Sequence, residues 1–533
     1  MSIQQDLEDL TVVSLKKIAK SNGLRNYSRL RKADLIAELI SEIKETQLRK
    51  EIKKFPKSKR SPRRKKASPK RKVSPRRKKA SPKRKSSTKN CIQRSLVKLN
   101  PHQIRIAKYL ETHRGVVAAF DVGSGKTLTA IAASQCVLDQ AKKEGKDIKV
   151  LVITPKSLRD NFKKEMIKYG LDIDDPRYTF YTYFEFYYAS KRGEIDCNNT
   201  FLIVDEAHSL KKIITKKQIR NFIKDGKPSS LAFSVINCAI YAWKVLLLTA
   251  TPVPNRVKDV INLVAMVRGE MPLTTTELDR LLQYDRQFKE YFGCYFSFYT
   301  PPKTKNFPKV IKKDVKIEMT PEYYKQYKKL EDRQIRLGNS DPWIFYNGLR
   351  QASNELEICL KCDYVNKVIE KGRKTLIYSA FKSKGIEMIE KELKKKNIPY
   401  LSITGDIKEA QRQKNVNAFN DPKGPNVLFI TNAGAQGLDL KGVRDVIIFE
   451  SVWNESAEEQ IIGRAVRFGS HAHLPKSEQN VKVHRLIIVK PRKIKDKHPS
   501  ADVMLNELSK QKATKTKKLI QKLKEVSIEN MDC

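Results

Sequence analysis

The sequence lacks any apolar segment long enough to cross a membrane. Its 533 residues are 40% hydrophobic, yet no run approaches the roughly 18 residues that a spanning helix requires. The N-terminal MSIQQDLEDL also lacks the basic and apolar regions of a secretory signal. These absences predict an intracellular protein without a membrane partner.

Cysteine is scarce, with eight residues scattered along the chain. In an intracellular protein of this length we expect them to be reduced and mostly buried, and not to form a disulfide framework. Cys359 and Cys362 have CxxC spacing. No second CxxC and no nearby CxxH completes a zinc site, so this pair is predicted to have a packing role.

Acidic residues are outnumbered, at 59 against 108 lysines and arginines, which gives a formal charge of +49. A balance this far from neutral requires a polyanionic partner. Residues 53–89 hold 20 of the cations and no acid, and both SPRRKKA and SPKRK occur twice there. We predict a disordered linker over residues 45–92, because it has too few apolar side chains to fold. The repeat resembles histone-tail segments that lie along DNA; a nuclear import signal or a solubilising spacer is the alternative.

The first 44 residues are predicted to form a small helical hairpin. Two apolar stripes at helical spacing flank a polar loop; they consist of Leu15, Ile18 and Ala19, then Leu35, Ile36, Leu39 and Ile40. The pattern resembles SAP-type DNA-binding modules, with the basic residues Arg25, Arg29, Arg31 and Lys32 near the loop. A hairpin that docks another protein is the alternative.

From about residue 93 the sequence predicts a globular α/β protein. Short apolar runs bounded by turn residues alternate with helical stretches, as in parallel strands covered by helices on both faces. The runs are VLVIT at 150–154, FLIVD at 201–205, VLLLTA at 245–250, TLIYSA at 375–380, NVLFIT at 426–431 and DVIIFE at 445–450. We predict a first lobe over 93–270, a helical insertion over 271–360, a second lobe over 361–495 and a basic helical tail over 496–533.

A glycine-rich turn predicts a phosphate-binding loop. GSGKT at 123–127 lies between the apolar VVAAF and the helix-forming LTAIAAS. Such a turn presents backbone N–H groups and the positive end of a helix to phosphates. We expect Lys126 to reach the β- and γ-phosphates of ATP and the Thr127 hydroxyl to hold Mg²⁺. The predicted nucleotide contacts are Gly123, Ser124, Gly125, Lys126 and Thr127.

Two carboxylates close the run FLIVDEAH. The carboxyl ends of parallel strands border the crevice where such sheets bind ligands. We expect Asp205 to contact Mg²⁺ and Glu206 to orient and deprotonate the attacking water. His208 is predicted to link the ATP site to the second lobe. The TATP motif, at 249–252, places its threonine hydroxyls at the end of another strand.

Arg464 and Arg467, in QIIGRAVR, are three residues apart and share one face of the predicted helix. Supplied from the second lobe, they would act as arginine fingers on the γ-phosphate. The preceding GAQGLDL, at 434–440, supports this interpretation over a solvated surface pair.

With these motifs in this order, the chain resembles a superfamily 2 helicase-like ATPase. It is similar to Swi/Snf-type translocases and to the nucleoside triphosphatase I family of large DNA viruses. The resemblance rests also on LNPHQ at 99–103, ITPKSL at 153–158, LRQASN at 349–354 and WNESAEEQ at 453–460. It implies two RecA-like, doubly wound parallel-sheet lobes. It further implies that Gln103 reads the adenine edge and that Asp439 contacts the ribose or the lobe interface.

The function predicted is that of an ATP-dependent translocase or helicase, using ATP and Mg²⁺ to move along duplex or single-stranded DNA. An RNA helicase or transcript-release factor on the same scaffold is one alternative. A DNA-condensing structural protein with a dead motor is another, and the intact Lys126, Glu206 and Arg464 argue against it. The viral resemblance implies a transcription apparatus as partner, with a virion, host nucleus or cytoplasm as location. The hairpin and the basic linker are not standard for that viral family.

Overall fold

The structure, a computed structural model, describes residues 7, 12–22, 36, 39, 43, 48 and 90–533. Within the last range, residues 212–213, 303–305, 338–341, 357, 433–437, 495 and 497 are not described. The chain divides into two compact units, Met1–Ser86 and Ser87–Cys533. The predicted linker at 45–92 lies almost entirely outside the described residues. None of the helices in the described part combines the length and the apolar character needed to span a bilayer.

The first unit contains helix α1 (Val12–Ser21). Just beyond the end of this helix, the Asn22 side-chain amide donates to the Ile18 carbonyl at 2.8 Å. Five residues of the two predicted apolar stripes are buried in one cluster, together with three residues that the sequence interpretation did not include. The cluster consists of Leu7, Leu15, Ile18, Ala19, Ile36, Leu39, Ile43 and Leu48. This cluster extends past residue 44, where the hairpin was predicted to end. The basic loop of the predicted hairpin lies outside the described residues.

Six parallel strands form the sheet of the first lobe, in the order β3-β2-β4-β5-β1-β6. They are β1 (Gly115–Phe120), β2 (Lys149–Ile153), β3 (Tyr178–Tyr181), β4 (Thr200–Asp205), β5 (Lys244–Thr249) and β6 (Phe296–Tyr299). The helices are α2 (Pro101–Thr112), α3 (Lys126–Lys143), α4 (Lys156–Tyr169), α5 (Tyr183–Lys191), α6 (Lys216–Asp225), α7 (Leu231–Tyr241), α8 (Val260–Arg268), α9 (Thr275–Gln283) and α10 (Asp285–Phe292). Short 3₁₀ turns cover Ala207–Leu210 and Val257–Asp259.

Both faces of this sheet are buried, which explains the continuous apolar runs. Successive residues of β5 enter opposite cores: Val245 and Leu247 pack into one, and Leu246 and Leu248 pack into the other. All four side chains are fully buried. The alternation follows from the two-residue period of a strand.

The second lobe repeats this architecture, with six parallel strands in the order β7-β12-β11-β8-β10-β9. They are β7 (Lys309–Glu318), β8 (Thr375–Tyr378), β9 (Tyr400–Ile403), β10 (Val427–Ile430), β11 (Asp445–Ile448) and β12 (Asn480–Val489). The helices are α11 (Pro321–Arg336), α12 (Pro342–Asn354), α13 (Cys362–Ile369), α14 (Glu387–Lys395), α15 (Glu409–Asn420) and α16 (Glu455–Ala465). A π turn covers Lys382–Ile386 and a 3₁₀ turn covers Lys476–Glu478. The two lobes are RecA-like, as predicted, and all six apolar runs are strands.

The predicted helical insertion over 271–360 is not purely helical. Its strand β6 pairs with β1 and completes the first sheet, and its strand β7 pairs with β12 over ten residues and forms an edge of the second. The sequence analysis did not identify β7 because an edge strand rich in lysine has no apolar run: most of its residues are exposed. The first lobe therefore reaches to about Tyr299.

The predicted basic tail contains the last helix, α17 (Ala501–Glu525), but this helix belongs to both lobes. At its start, buried Asp502 accepts a hydrogen bond from Lys361 Nζ at 2.9 Å in the second lobe. At its end, Leu519 and Leu523 are part of the first-lobe core. Beyond it, the Glu529 carboxylate accepts a hydrogen bond from the Phe298 amide at 3.1 Å. The segment therefore links the two lobes.

The prediction of reduced cysteines is wrong for this structure. All eight pair, as Cys91–Cys136, Cys197–Cys238, Cys294–Cys533 and Cys359–Cys362. The first three pairs are 45, 41 and 239 residues apart, so only the fold brings their partners together. Cys359 and Cys362 are three residues apart.

Replacing Leu523 by alanine should destabilise the protein. Its side chain is fully buried in the first-lobe core, and truncating a leucine in such a core costs about 2–5 kcal/mol. We expect a lower denaturant midpoint in chemical unfolding of the full chain. Lys518→Ala, on an exposed position of the same helix, is the matched control. Equal midpoints for the two variants would contradict a core role for α17.

Candidate nucleotide-binding site

The predicted phosphate-binding loop connects β1 to α3. Gly123 and Gly125 have φ angles of 83° and 79°, a left-handed conformation that glycine adopts without strain. Gly125 is the N-cap of α3, so Lys126 and Thr127 begin the helix. Lys126 Nζ donates to the carbonyls of Phe120 at 2.9 Å and Asp121 at 3.3 Å. The lysine thus lies against the loop at the positive end of a helix.

Two side chains of helix α2 contact the backbone of the loop. Gln103 Nε2 donates to the Gly125 carbonyl at 3.2 Å, and Gln103 Oε1 accepts from the Asn100 amide at 2.8 Å. His102 Nε2 is 2.9 Å from the Ser124 carbonyl oxygen. Gln103 is 1% exposed; in this structure its Nε2 supports the loop and its Oε1 caps the start of α2. Each of these two atoms can make a second hydrogen bond, so the expectation that Gln103 reads an adenine edge stays a prediction.

The carboxylates of Asp205 and Glu206 lie at the C-terminal end of β4. Asp205 accepts hydrogen bonds from Thr154 Oγ1 at 3.2 Å and from the Glu206 amide at 3.0 Å. Burial, together with the negative charge of Glu206, raises the pKa of Asp205 to about 7, and the positive charge of Lys126 opposes this shift. These charges therefore act on one another, as expected of one site.

His208 and Thr249 connect the two motifs of the first lobe. His208 Nδ1 lies 3.1 Å from Thr249 Oγ1 and 3.3 Å from Glu206 Oε2. Burial lowers the pKa of His208, which the charge of Glu206 partly offsets. The Thr251 amide donates to Thr249 Oγ1 at 3.0 Å. The predicted link of His208 to the second lobe is thus, in this structure, a link within the first lobe.

The two arginines come from α16 and the turn that follows it. Arg467 Nε is 3.6 Å from Asp439 Oδ1. A methyl group at Gly463 would lie 4.0 Å from Val122 of the phosphate-binding loop, so this helix packs against the first lobe. Burial and the charge of Arg467 lower the pKa of Arg464 to about 10, and the charge of Glu206 opposes the shift. Residues 434–437 of the preceding loop lie outside the described residues.

Four buried polar atoms at these motifs have no hydrogen-bond partner among the described residues. They are Ser124 Oγ, Glu206 Oε2, Thr251 Oγ1 and Arg464 Nε. Buried polar groups are ordinarily paired, and a ligand bound here would satisfy these four. A loop with free N–H groups, a lysine and an arginine fits a polyphosphate, and the oxygens of Thr127 and Asp205 are ligands that Mg²⁺ prefers.

Two contacts of this site were not predicted. The His102 ring stacks on Tyr299, with 3.5 Å between centroids, while its Nε2 holds the loop. Tyr183 is hydrogen bonded to the backbone at the end of β4. His102 adjoins Gln103 in LNPHQ, which offered a signal. Tyr183 is one of 20 tyrosines, and its sequence context offered none.

Comparison with known proteins identifies both lobes. Residues 102–291 match the SNF2-related domain and residues 360–469 match the helicase conserved C-terminal domain. An Acanthamoeba polyphaga mimivirus protein, named as an ATP-dependent RNA helicase, is 32% identical over 81% of this chain and 98% of its own length. Nucleoside triphosphatase I of Heliothis armigera entomopoxvirus is 31% identical over 29% of this chain and 21% of its own length.

One solved structure also matches, the Sulfolobus solfataricus SWI2/SNF2 ATPase core in complex with dsDNA. The match has a TM-score of 0.31 and 18% identity over 81% of this chain and 97% of that one.

The chain belongs to the superfamily 2 helicases with SNF2-related and helicase C-terminal domains. It is an ATP-dependent helicase or translocase of the SNF2 type.

The comparison corrects the prediction for the N-terminal unit. Residues 6–51 match the N-terminal domain of Rho termination factor, and not a SAP module. The two apolar stripes alone did not distinguish these interpretations.

The raised pKa of Asp205 predicts a pH-dependent stability. The folded carboxyl keeps its proton up to about pH 7, whereas its reference value is 3.8. This group's contribution to stability is therefore full below pH 4 and is lost as the pH rises to about 7. Asp205→Asn should raise the melting temperature of the nucleotide-free protein more at pH 8 than at pH 5.

Thermal unfolding in the presence of a chelator at both pH values measures the effect. Asp279→Asn, at an exposed position, is the control and should show the parental pH dependence. The same pH dependence in Asp205→Asn as in the parent would contradict the raised pKa.

Proposed function

We propose that this protein is a DNA-dependent ATPase that uses the binding and hydrolysis of Mg²⁺-ATP to move along DNA. The observation that carries the proposal is the convergence of Lys126, the Asp205–Glu206 pair and Arg464 from two RecA-like lobes. The charge of Glu206 acts on the pKa values of Lys126 and Arg464. Charged groups that act on one another's pKa values, together with buried polar atoms that lack partners, suit a polyphosphate substrate.

The first lobe would bind the nucleotide and prepare the attacking water. Lys126 would leave its two backbone carbonyls to pair with the β- and γ-phosphates, and the loop amides would donate to the same oxygens. Thr127 and Asp205 would hold Mg²⁺, which neutralises charge on the phosphates when bound. Glu206 would accept the proton of the attacking water through Oε2, which has no hydrogen bond in this structure and lies 3.3 Å from His208 Nδ1.

The second lobe would complete the site from the opposite side. The planar guanidinium groups of Arg464 and Arg467 would donate hydrogen bonds to the γ-phosphate as it departs. Their pKa values are lowered by burial, so part of their hydration is already removed before substrate binds. Because these arginines act only when the lobes are close, hydrolysis would depend on lobe closure. Release of the products would then let the lobes separate again.

Glu206→Gln should abolish hydrolysis while ATP binding survives. The variant removes a base and keeps the shape, so we expect turnover to fall at least about a hundredfold with little change in nucleotide affinity. Steady-state ATPase assays and nucleotide titration measure the two quantities. Lys126→Ala, which removes a phosphate contact, should weaken binding itself. Parental turnover in Glu206→Gln would refute the assignment of the base.

The class of the motor domain favours DNA over RNA as the polymer, whereas the charge requires only a polyanion. The chain carries +49 and a linker of Ser-Pro-basic repeats, and cations released onto phosphates supply sequence-independent affinity. The first lobe matches the SNF2-related domain. RNA is the second candidate, because the mimivirus relative is named as an RNA helicase.

The relatives from a mimivirus and an entomopoxvirus favour a viral setting for this motor. A role in viral transcription stays an expectation of the family resemblance.

ATP turnover measured with duplex DNA, single-stranded DNA and RNA separates the two candidates. We expect DNA to raise kcat more than RNA at equal nucleotide concentration and fixed salt. The salt must be stated because phosphate contacts make affinity depend steeply on it. Glu206→Gln with each polymer gives the background. Stimulation by RNA alone would replace the DNA proposal with the RNA one.

A further inference from the structure

Tyr183 lies directly beneath the turn that carries Asp205 and Glu206. It is the first residue of α5, after the N-cap Thr182. Its ring is buried in the first-lobe core, and its hydroxyl donates to the Asp205 carbonyl at 2.6 Å, with the Glu206 carbonyl at 3.1 Å. One hydroxyl thus contacts the backbone of both acidic residues.

The turn that Tyr183 contacts has an unusual conformation. Glu206 has φ 55° and ψ 44°, the left-handed region that side chains other than glycine's seldom adopt. Residues held in this region need support from their surroundings and cluster at functional sites. The Glu206 amide donates to Asp205 Oδ1 at 3.0 Å, and its carbonyl accepts from the Ser209 amide at 3.0 Å. Tyr183 adds a side-chain hydrogen bond to the backbone of this turn from another element.

The position of Tyr183 is itself fixed by a capping box. Thr182 Oγ1 accepts from the Glu185 amide at 3.2 Å, and the Thr182 amide donates to Glu185 Oε2 at 2.7 Å. Arg159 of α4 pairs with Glu185. These contacts hold the first turn of α5 at both Thr182 and Glu185.

A phenolic hydroxyl has a pKa of about 10 in water, so the Tyr183 hydroxyl keeps its proton at neutral pH and can donate. A neutral hydroxyl pointing at two carbonyl oxygens matches the acceptors that it meets.

We propose that Tyr183 is a positioning residue for ATP hydrolysis: its hydroxyl holds the left-handed turn that aims the Glu206 carboxylate at the attacking water. This inference rests on the proposed role of Glu206. The alternative is a purely structural role, in which the hydroxyl only hydrogen bonds two buried carbonyls. Loss of the hydroxyl would then affect stability and not the chemical step.

Tyr183→Phe keeps the ring and removes only the donor. Small misplacements of a catalytic group cost about ten- to a hundredfold in rate, so kcat should fall by that amount. The dissociation constant for ATP should stay within about twofold, because no predicted phosphate contact is touched. Tyr181→Phe is the matched control: this tyrosine packs against the same core, its hydroxyl has no hydrogen bond to another described residue, and its loss should leave kcat unchanged.

A double variant separates positioning from stability. If Tyr183 acts through Glu206, adding Tyr183→Phe to Glu206→Gln should lower the residual rate no further. The inference would be overturned if the effects of the two substitutions on the rate multiplied, or if Tyr183→Phe kept the parental kcat. If Tyr183→Phe does not fold, Thr182→Ala decides instead, since it loosens the first turn of α5. It should lower kcat at constant ATP affinity, and an unchanged kcat would overturn the inference.

The outcomes distinguish this inference from the proposed function. A parent without ATPase activity, or a fully active Glu206→Gln, would refute the proposed function. If both behave as proposed while Tyr183→Phe turns over at the parental rate, only the positioning role fails.

Discussion

The site depends on two carboxyl groups and a lysine held close together at the end of β4. Burial raises the pKa of Asp205 to about 7 and lowers that of Lys126, and each group's charge partly offsets the cost of burying the other. Much of the surrounding structure holds these groups in place. Thr154 hydrogen bonds Asp205, α2 supports the phosphate-binding loop, and Tyr183 contacts the turn after the strand.

The second lobe contributes buried arginine side chains to the site formed by these carboxyl groups and the lysine. Two segments join the lobes: the connection between β6 and β7, and the C-terminal helix α17. The helix is anchored at Asp502 in one lobe and at Leu523 in the other. Between these points, Lys517 Nζ pairs with Glu455 at 2.7 Å, in the first turn of the arginine-bearing helix α16. The placement of α16 is thus tied to the C-terminal segment as well as to its own sheet.

The cysteines show how far spacing alone can mislead. Cys294 and Cys533 are 239 residues apart and pair because the end of the chain returns to β6, where the Ile528 amide donates to the Phe296 carbonyl at 2.9 Å. Cys359 and Cys362, tested in the sequence for metal binding, pair with each other. Disulfide partners are set by distance in the fold, which sequence separation does not report.

The sequence by itself determined the two-lobed α/β architecture and six central strands, and it located the glycine-rich and acidic motifs at which we predict nucleotide binding. It could do so because a strand buried on both faces must be apolar throughout, and a phosphate loop must contain glycine. The tertiary structure alone decided the rest. Edge strand β7 has no apolar run, and the basic composition of α17 conceals its few core residues. Gln103 and Tyr183 form hydrogen bonds with partners remote in sequence. Such roles depend on which atoms the fold brings within hydrogen-bonding distance, and no local pattern encodes that distance.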